Sequence, residues 1–320
     1  MKNKDRNLVL MIDEIAVKHQ IDVQKFSHDW IIRLQKGTQI RHIFGYNFPN
    51  NSSTAQMIAN DKSATSELLQ ASGVPVVEHK LFLNPKLDKY VGQNGNWHSI
   101  LEYFQQHHEK VVCKAVSGTG GNDVFLVRTQ IELEQSIQFL FSKYRSISLS
   151  PFVNIRKEYR AISLNQQVEL LYQKNIQTLL GNGSDSVLDL IRNNFAIEEL
   201  SSLLDGFSDK CEKELGYIPE EGEEVSLNWK SNLGHGAKPI ILSDTDPKSH
   251  LLTQLAEDCA RVLNIQFASV DIVETSEGEF LILEVNSGVM VENFVRILPE
   301  KYSFIKGIYE KAILSLFADD

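Results

Sequence analysis

The stretch that decides the reading is Ala268–Gly288, ASVDIVETSEGEFLILEVNSG. Two apolar, β-branched runs flank Ser276-Glu277-Gly278, which predicts strands over 267–274 and 280–286 joined by a hairpin turn. Asp271 and Glu284, thirteen residues apart, then lie on neighbouring strands. Asn286 follows Glu284 by two, so the two side chains share a sheet face. Two carboxylates and an amide oxygen are hard ligands that suit magnesium shared with phosphate oxygens. The same pattern also fits a solvated sheet face with two incidental acids.

Working outward, a second stretch has chemistry of its own: VVCKAVSGTGGNDVFLV at 111–127. A strand ends near Lys114, and Ser117, Gly118, Thr119, Gly120 and Gly121 form a turn before a second strand leaves. Glycines allow the positive φ that lets successive backbone N–H groups face an anion. It is not a Walker A loop, because no Gly-Lys-Ser/Thr opens a helix. A plain hairpin with a flexible tip is the alternative. Further upstream, Asp61-Lys62 reads by itself as a solvated surface pair.

The remainder is mixed. Helices are expected over 1–20, 54–72, 97–108, 130–145, 247–264 and 300–317, with 184–215 mostly helical. Strands are expected over 76–83, 110–115, 123–128, 147–153, 158–164, 167–173 and 225–229, and a hairpin over 25–46 around Lys36-Gly37. Gly73 and Pro75 should stop the second helix. Many hairpins among the helices argue for an α+β fold whose sub-domains share a cleft. The chain has 320 residues and a net charge of −10. Such acidity disfavours a general nucleic-acid binder but allows a local basic pocket. Cys113, Cys211 and Cys259 have no paired spacing and read as buried apolar residues in a reducing cytoplasm, with neither disulfide nor zinc. No apolar run is long enough for a membrane span, and the N-terminal stretch reads as an amphipathic helix rather than a signal peptide. His107-His108 read as surface residues, His235 as a loop surface residue or a substrate contact, and Trp30, Trp97 and Trp229 as packing residues.

In order, these pieces resemble the ATP-grasp ligases over roughly residues 50–295. Asp61-Lys62 on a helix leads to Gly73-Val74-Pro75, then Val111-Val112-x-Lys114 and the Gly-rich loop, then Glu158-Tyr159-Arg160, and finally Asp271…Glu284-x-Asn286. The ATP-binding halves of cyanophycin synthetases and bifunctional glutathione synthetases are the nearest in pattern, with D-alanine–D-alanine ligases more distant. GNGSDSVLDLI (181–191) and KSNLGHGA (230–237) add to the likeness. The resemblance implies an ATP-grasp fold and ADP-forming ligation of a carboxylate to an amine, amino acids or peptides, through an acyl phosphate. It implies Lys62, Lys114 and Lys174 near the phosphates and Ser117–Gly121 as the lid loop. It also implies Ser150, Pro151, Phe152 and Val153 as the adenine hinge and Glu158 at the ribose. Asn232 would line the nucleotide site. Asp271, Glu284 and Asn286 would hold two magnesium ions, with manganese as an alternative, and Arg160, Lys230 and Asn286 would serve catalysis.

It further implies a division into 1–50, an amino-terminal helix and hairpin; 51–95, a linking helix and strand; 96–153, the small lid sub-domain; and 154–320, the large sub-domain with the metal site. The chain departs from the pattern in places. Ala115-Val116 stand where Pro usually follows the lysine. Ser269 stands where many relatives carry an Arg. Ser287-Gly288-Val289-Met290 replace a Pro-Gly. An ATP-binding module without ligase activity, or a kinase or ligase with a non-amine acceptor, are the alternatives. A homodimer is left open.

Overall fold

The computed structural model describes residues 6–87, 97–117, 123–175, 178–195, 213–226, 237–243 and 245–318. Helix α1 (Asn7–His19) buries Leu8, Met11, Ile12 and Ile15. A meander follows: β1 (Asp22–Phe26), β2 (Ile31–Lys36) and β3 (Gln39–Phe44), antiparallel in that order. Gly37, at φ +58°, makes the expected turn. The sequence points to two β-rich runs here. The structure adds a distinct first strand, β1, whose side chains are largely exposed.

The helix expected over 54–72 is two helices, α2 (Ser53–Ala59) and α3 (Lys62–Ala71). The break lies at Asn60-Asp61, because Asp61 takes an extended conformation and its carboxylate accepts from Ala64 N at 2.9 Å. A short acceptor that caps a new helix competes with continuing the old one. Lys62 thereby becomes the first residue of α3. Gly73, at φ +74°, ends that helix as expected.

The strand expected over 76–83 is confined to β4 (Lys80–Leu83). Residues 75–77 instead pair with another strand, as described below. Helix α4 (Trp97–Gln106) is followed by β5 (Val111–Ala115), β6 (Val124–Val127), α5 (Gln130–Lys143) and β7 (Ser146–Pro151). Thr129 and Glu132 close a capping box on α5. The sheet order is β4-β7-β5-β6, antiparallel where paired. Ile100, Tyr103, Leu133, Ile137 and Leu140 cover the face that carries Phe82, Cys113, Ile147 and Leu149. By alternation the other face carries Leu81, Val112, Lys114, Ser148 and Ser150.

Next come β8 (Ile155–Leu164), β9 (Gln167–Asn175), β10 (Thr178–Leu180), α6 (Val187–Asn194), β11 (Glu224–Ser226) and β12 (Lys238–Ile241). The last elements are α7 (Ser249–Val262), β13 (Phe267–Thr275), β14 (Phe280–Asn286), α8 (Glu292–Ile297) and α9 (Tyr302–Ser315). A five-stranded sheet runs β12-β9-β8-β13-β14. Leu252, Ala256, Cys259 and Ala260 of α7 pack on its Ala161, Val270, Ile272, Ile282 and Val285. The chain divides into two compact units, 1–172 with 241–320, and 173–240. In the second, the β10–β11 pair and α6 share a small core of Leu179, Val187, Leu190, Ile191 and Val225. Strands β10 and β12 are additions to the strands expected from sequence. Of the helical stretch expected over 184–215, α6 is what the described residues contain, and 196–212 lie outside them. No helix among the described residues is long and apolar enough to cross a membrane.

The α7 face also buries a charge. Glu274 accepts from Tyr159 Oη at 2.7 Å and from Lys248 Nζ at 2.8 and 2.7 Å. Burial would raise its carboxyl, but these bonds outweigh burial and hold it below the ordinary value. Its contribution to stability is therefore present above the ordinary Glu range and is lost as pH falls through the folded value. Glu274→Ala orphans the Tyr159 hydroxyl, whereas Lys248 can still reach water. A loss of about 2–3 kcal/mol is expected in urea unfolding, shrinking on acidification. A loss that is independent of pH would show that the carboxylate carries none of it.

Candidate functional site

Strand β14 pairs with β13 through a register shift: Asp271 faces Glu284, yet Ile272 faces Ile282. Leu283 is the extra residue of a β-bulge. Ile282 therefore turns into the α7 core while Glu284, two residues on, turns to the opposite face. Ser269 faces Asn286, so Asn286 shares that face. The three expected ligand residues are thus brought together on one side of the sheet.

Cations meet them there. Arg160 of β8 lies directly opposite Asp271. Its Nε and Nη2 donate to Oδ1 and Oδ2, each at 2.6 Å, and Asp271 is only 2% exposed. Burial opposes the guanidinium charge, but Asp271 beside it more than restores it. Asn286 Nδ2 donates to Glu284 Oε1 at 3.1 Å, and Lys62 Nζ lies 3.4 Å from Glu284 Oε2. The cap that starts α3 at Lys62 is what aims this lysine. Its backbone N–H reaches Val116 O at 3.4 Å, tying α3 to the end of β5.

Lys114 is buried on the face of the β4-β7-β5-β6 sheet opposite α4 and α5. Burial, and then repulsion by Lys62, lower its ammonium to about 7, against a weaker pull from Glu284. Ser150 is buried opposite Val112. Pro151, Phe152 and Val153 are half-buried and carry the chain from β7 into β8. Phe152 N donates to Lys110 O, and Lys110 Nζ stands 3.7 Å from the Phe152 ring centre. Glu158 is buried two residues before Arg160, hence on the same face. Ser269 is buried on that face too, so the strand position that lacks an Arg lies beside Asn286, one strand from Arg160. Lys174 is buried on the part of β9 that belongs to the second unit. Ser117 is exposed at the edge of the described residues. Gly118, Thr119, Gly120, Gly121, Lys230, Asn232 and His235 lie outside them.

Two carboxylates and a carboxamide oxygen on one face form a hard donor set, which fits a magnesium-like ion. Among the described residues, no cluster of three or more His, Cys, Asp or Glu offers another such set. Residues outside the motifs also enter. His79 is buried between β7 and β14, and burial, then Lys114, hold its imidazole well below the ordinary value. The fully buried Ser287 hydroxyl lies 2.9 Å from Asn47 Oδ1 and 3.1 Å from Asn60 Oδ1. Nothing in the sequence signals either, since a single His or Ser in a strand run carries no pattern.

No family model matches the sequence. It is 22% identical to a cyanophycin synthetase of Trichormus variabilis, over 85% of this chain and 31% of that protein. It is 23% identical to a glutathione biosynthesis bifunctional protein of Clostridium perfringens, over 92% of this chain and 39% of that one. The chain thus spans about a third of the length of the curated relatives it matches. Among solved structures it resembles the D-alanine–D-alanine ligase of Bacillus anthracis, with a TM-score of 0.53, 13% identity and coverage of 83% of this chain and 69% of that one. With its two antiparallel sheets and the converging residues between them, this chain has the ATP-grasp fold.

Proposed function

We propose that the protein is an ADP-forming carboxylate–amine ligase that uses ATP. The observation that carries this is the convergence of Asp271, Glu284 and Asn286 with Lys62, Lys114 and Arg160 on one cleft of an ATP-grasp fold. An acidic chain that concentrates cations at one place is suited to a polyanion. In this reading residues 96–153 form the lid and 154–320 the large sub-domain. Ser150–Val153 face the adenine and Glu158 takes the ribose; Ser117–Gly121, of which 118–121 lie outside the described residues, are assigned to the phosphates by the resemblance. The resemblance assigns Lys174 and Asn232 to the nucleotide and Lys230 to catalysis; Lys174 belongs to the second unit, and Lys230 and Asn232 lie outside the described residues.

The substrate carboxylate attacks the γ-phosphorus, forming an acyl phosphate and releasing ADP. An amine then attacks the acyl carbon and expels phosphate, leaving an amide. Such transfers depend mostly on positioning and on neutralising charge. Asp271, Glu284 and Asn286 would hold magnesium, which would supply positive charge for the phosphates. Lys62 and Lys114 present ammonium groups to the phosphates from α3 and from the lid. Arg160, fixed by two bonds to Asp271, supplies the charge that Ser269 does not. Amino acids or peptides are the substrate class that the relatives' names suggest.

Glu284→Gln should keep the fold and abolish ADP release, and Arg160→Ala should slow it by about 10²-fold or more. Near-wild-type release by Glu284→Gln in a pool of amino acids would reject the metal assignment. Hydroxylamine should replace the amine and give a hydroxamate. A stable phosphorylated product from one co-substrate would instead show a kinase.

Lys114 generates a separate prediction. Its ammonium is lowered to about 7, and phosphates beside it would raise that value. Binding of ATP near neutral pH should therefore take up protons. Calorimetry in two buffers of different ionisation heat should show this, and Lys114→Met should abolish the buffer dependence. The same buffer dependence in Lys114→Met would place the phosphates elsewhere.

A further inference from the structure

His79 belongs to none of the groups assigned above, yet it sits where three of them join. It immediately precedes β4, in the segment that carries the chain from the large sheet to the lid. On the large-sheet side, Val77 N donates to Ile282 O and Ile282 N donates to Pro75 O, each at 2.9 Å. Those bonds cover the outer edge of β14 up to its bulge. The imidazole then takes the next group along that edge: Nε2 lies 3.3 Å from Leu283 O. Leu283 is the extra residue with no opposite number on β13.

The other contacts of His79 reach α3, which bears Lys62, and β7, the strand paired with the one that bears Lys114. Its backbone N–H donates to Ser66 Oγ of α3 at 3.1 Å. Its Nδ1 lies 3.5 Å from Ser148 Oγ of β7, whose neighbour in register is Lys114. A carbonyl can only accept, so Nε2 carries the proton. The ring is neutral, so Nδ1 is the acceptor for the Ser148 hydroxyl. One buried side chain thus reads the bulge carbonyl with one nitrogen and the lid with the other.

We propose that His79 is a positioning residue for the nucleotide's metal. By holding Leu283, it fixes the direction of Glu284 relative to Lys62 and Lys114. The inference rests on the magnesium–ATP reading and adds a residue that the donor set does not contain. Outer-shell partners that orient a ligand typically alter metal affinity by about 10–100-fold.

The test is the magnesium concentration that half-saturates the ATP-induced rise in melting temperature. His79→Leu should need about tenfold more magnesium than wild type. His79→Gln places an amide donor where Nε2 stands and should restore most of the response. His79→Asn reaches only the Nδ1 position and should behave like the leucine variant. Glu274→Ala, on the opposite face of the sheet, should lower the melting temperature without moving the magnesium midpoint. If the leucine variant does not fold, the difference between glutamine and asparagine decides. Equal midpoints in wild type and both impaired variants would overturn the role of His79 alone, as would a glutamine variant no better than asparagine. A wild-type protein whose melting ignores magnesium and ATP would overturn the nucleotide reading, and this inference with it.

Discussion

One extra residue in β14 decides which way Glu284 points. Strand alternation puts residues two apart on one face, so Ile282 and Glu284 should point together. Both cannot be satisfied in one place, because Ile282 is fully buried in the α7 core and Glu284 must remain near cations. The bulge at Leu283 resolves the conflict by shifting the register between Asp271 and Ile272. Below it the strand serves the core. Above it the strand serves the cleft, with Glu284 and Asn286 facing Asp271 and Ser269. The partner strand makes no such shift there and pairs evenly with β8, which is why Arg160 meets Asp271 squarely.

The cleft is a balance of charges in a setting that penalises each of them. Asp271 and Lys114 are nearly inaccessible, and Arg160 is mostly covered. A buried carboxylate without a partner would be very costly, and a bidentate guanidinium is the geometry that best offsets that cost. Burial and then repulsion by Lys62 lower the Lys114 ammonium, and the pull of Glu284 does not offset them. Asp271 is matched by Arg160, and Glu284 lies beside Lys62. In the proposed reading, a metal–phosphate ligand would bring anionic oxygens to the lysines and a cation to the carboxylates at once.

Much of this is legible in the amino-acid sequence. The β13–β14 hairpin, its turn and the common face of Glu284 and Asn286 follow from alternation alone. The lid strands follow from short apolar runs around glycine, and the buried state of Cys113 and Cys259 from their isolation. What the sequence hides are features that depend on non-local partners. The bulge has no residue signature. The break at Asn60-Asp61 is hidden because apolar positions continue at helical spacing on both sides of it, and only the Asp61 cap shows that a second helix begins. Residues 76–79 read as part of a strand because Val76 and Val77 are β-formers, but the backbone bonds of 75–77 go to β14 rather than into the β4 ladder. His79 and Ser287 acquire meaning only from what surrounds them.

The amino-terminal fifty residues illustrate the last point. As a sequence they read as an unrelated helix and hairpin. In the structure they are fastened to the segment that leaves the cleft. Asn47 bridges Gly288 through the backbone and meets Ser287 Oγ, while the Glu292 carboxylate accepts from Asn7 N at 2.9 Å and Leu8 N at 3.1 Å at the start of α1. A carboxylate at a helix N-terminus takes up N–H groups that would otherwise lack acceptors. Phe48 stacks on Tyr309, whose hydroxyl donates to Val289 O at 2.8 Å. Ser287 to Val289 are therefore held from outside, by side chains of other parts of the chain. A proline would stiffen such a segment through its own ring. Here the same stretch, Ser287 to Val289, gains its conformation from Asn47, Asn60 and Tyr309, so the amino-terminal motif is built into the geometry of the strand that bears Asn286.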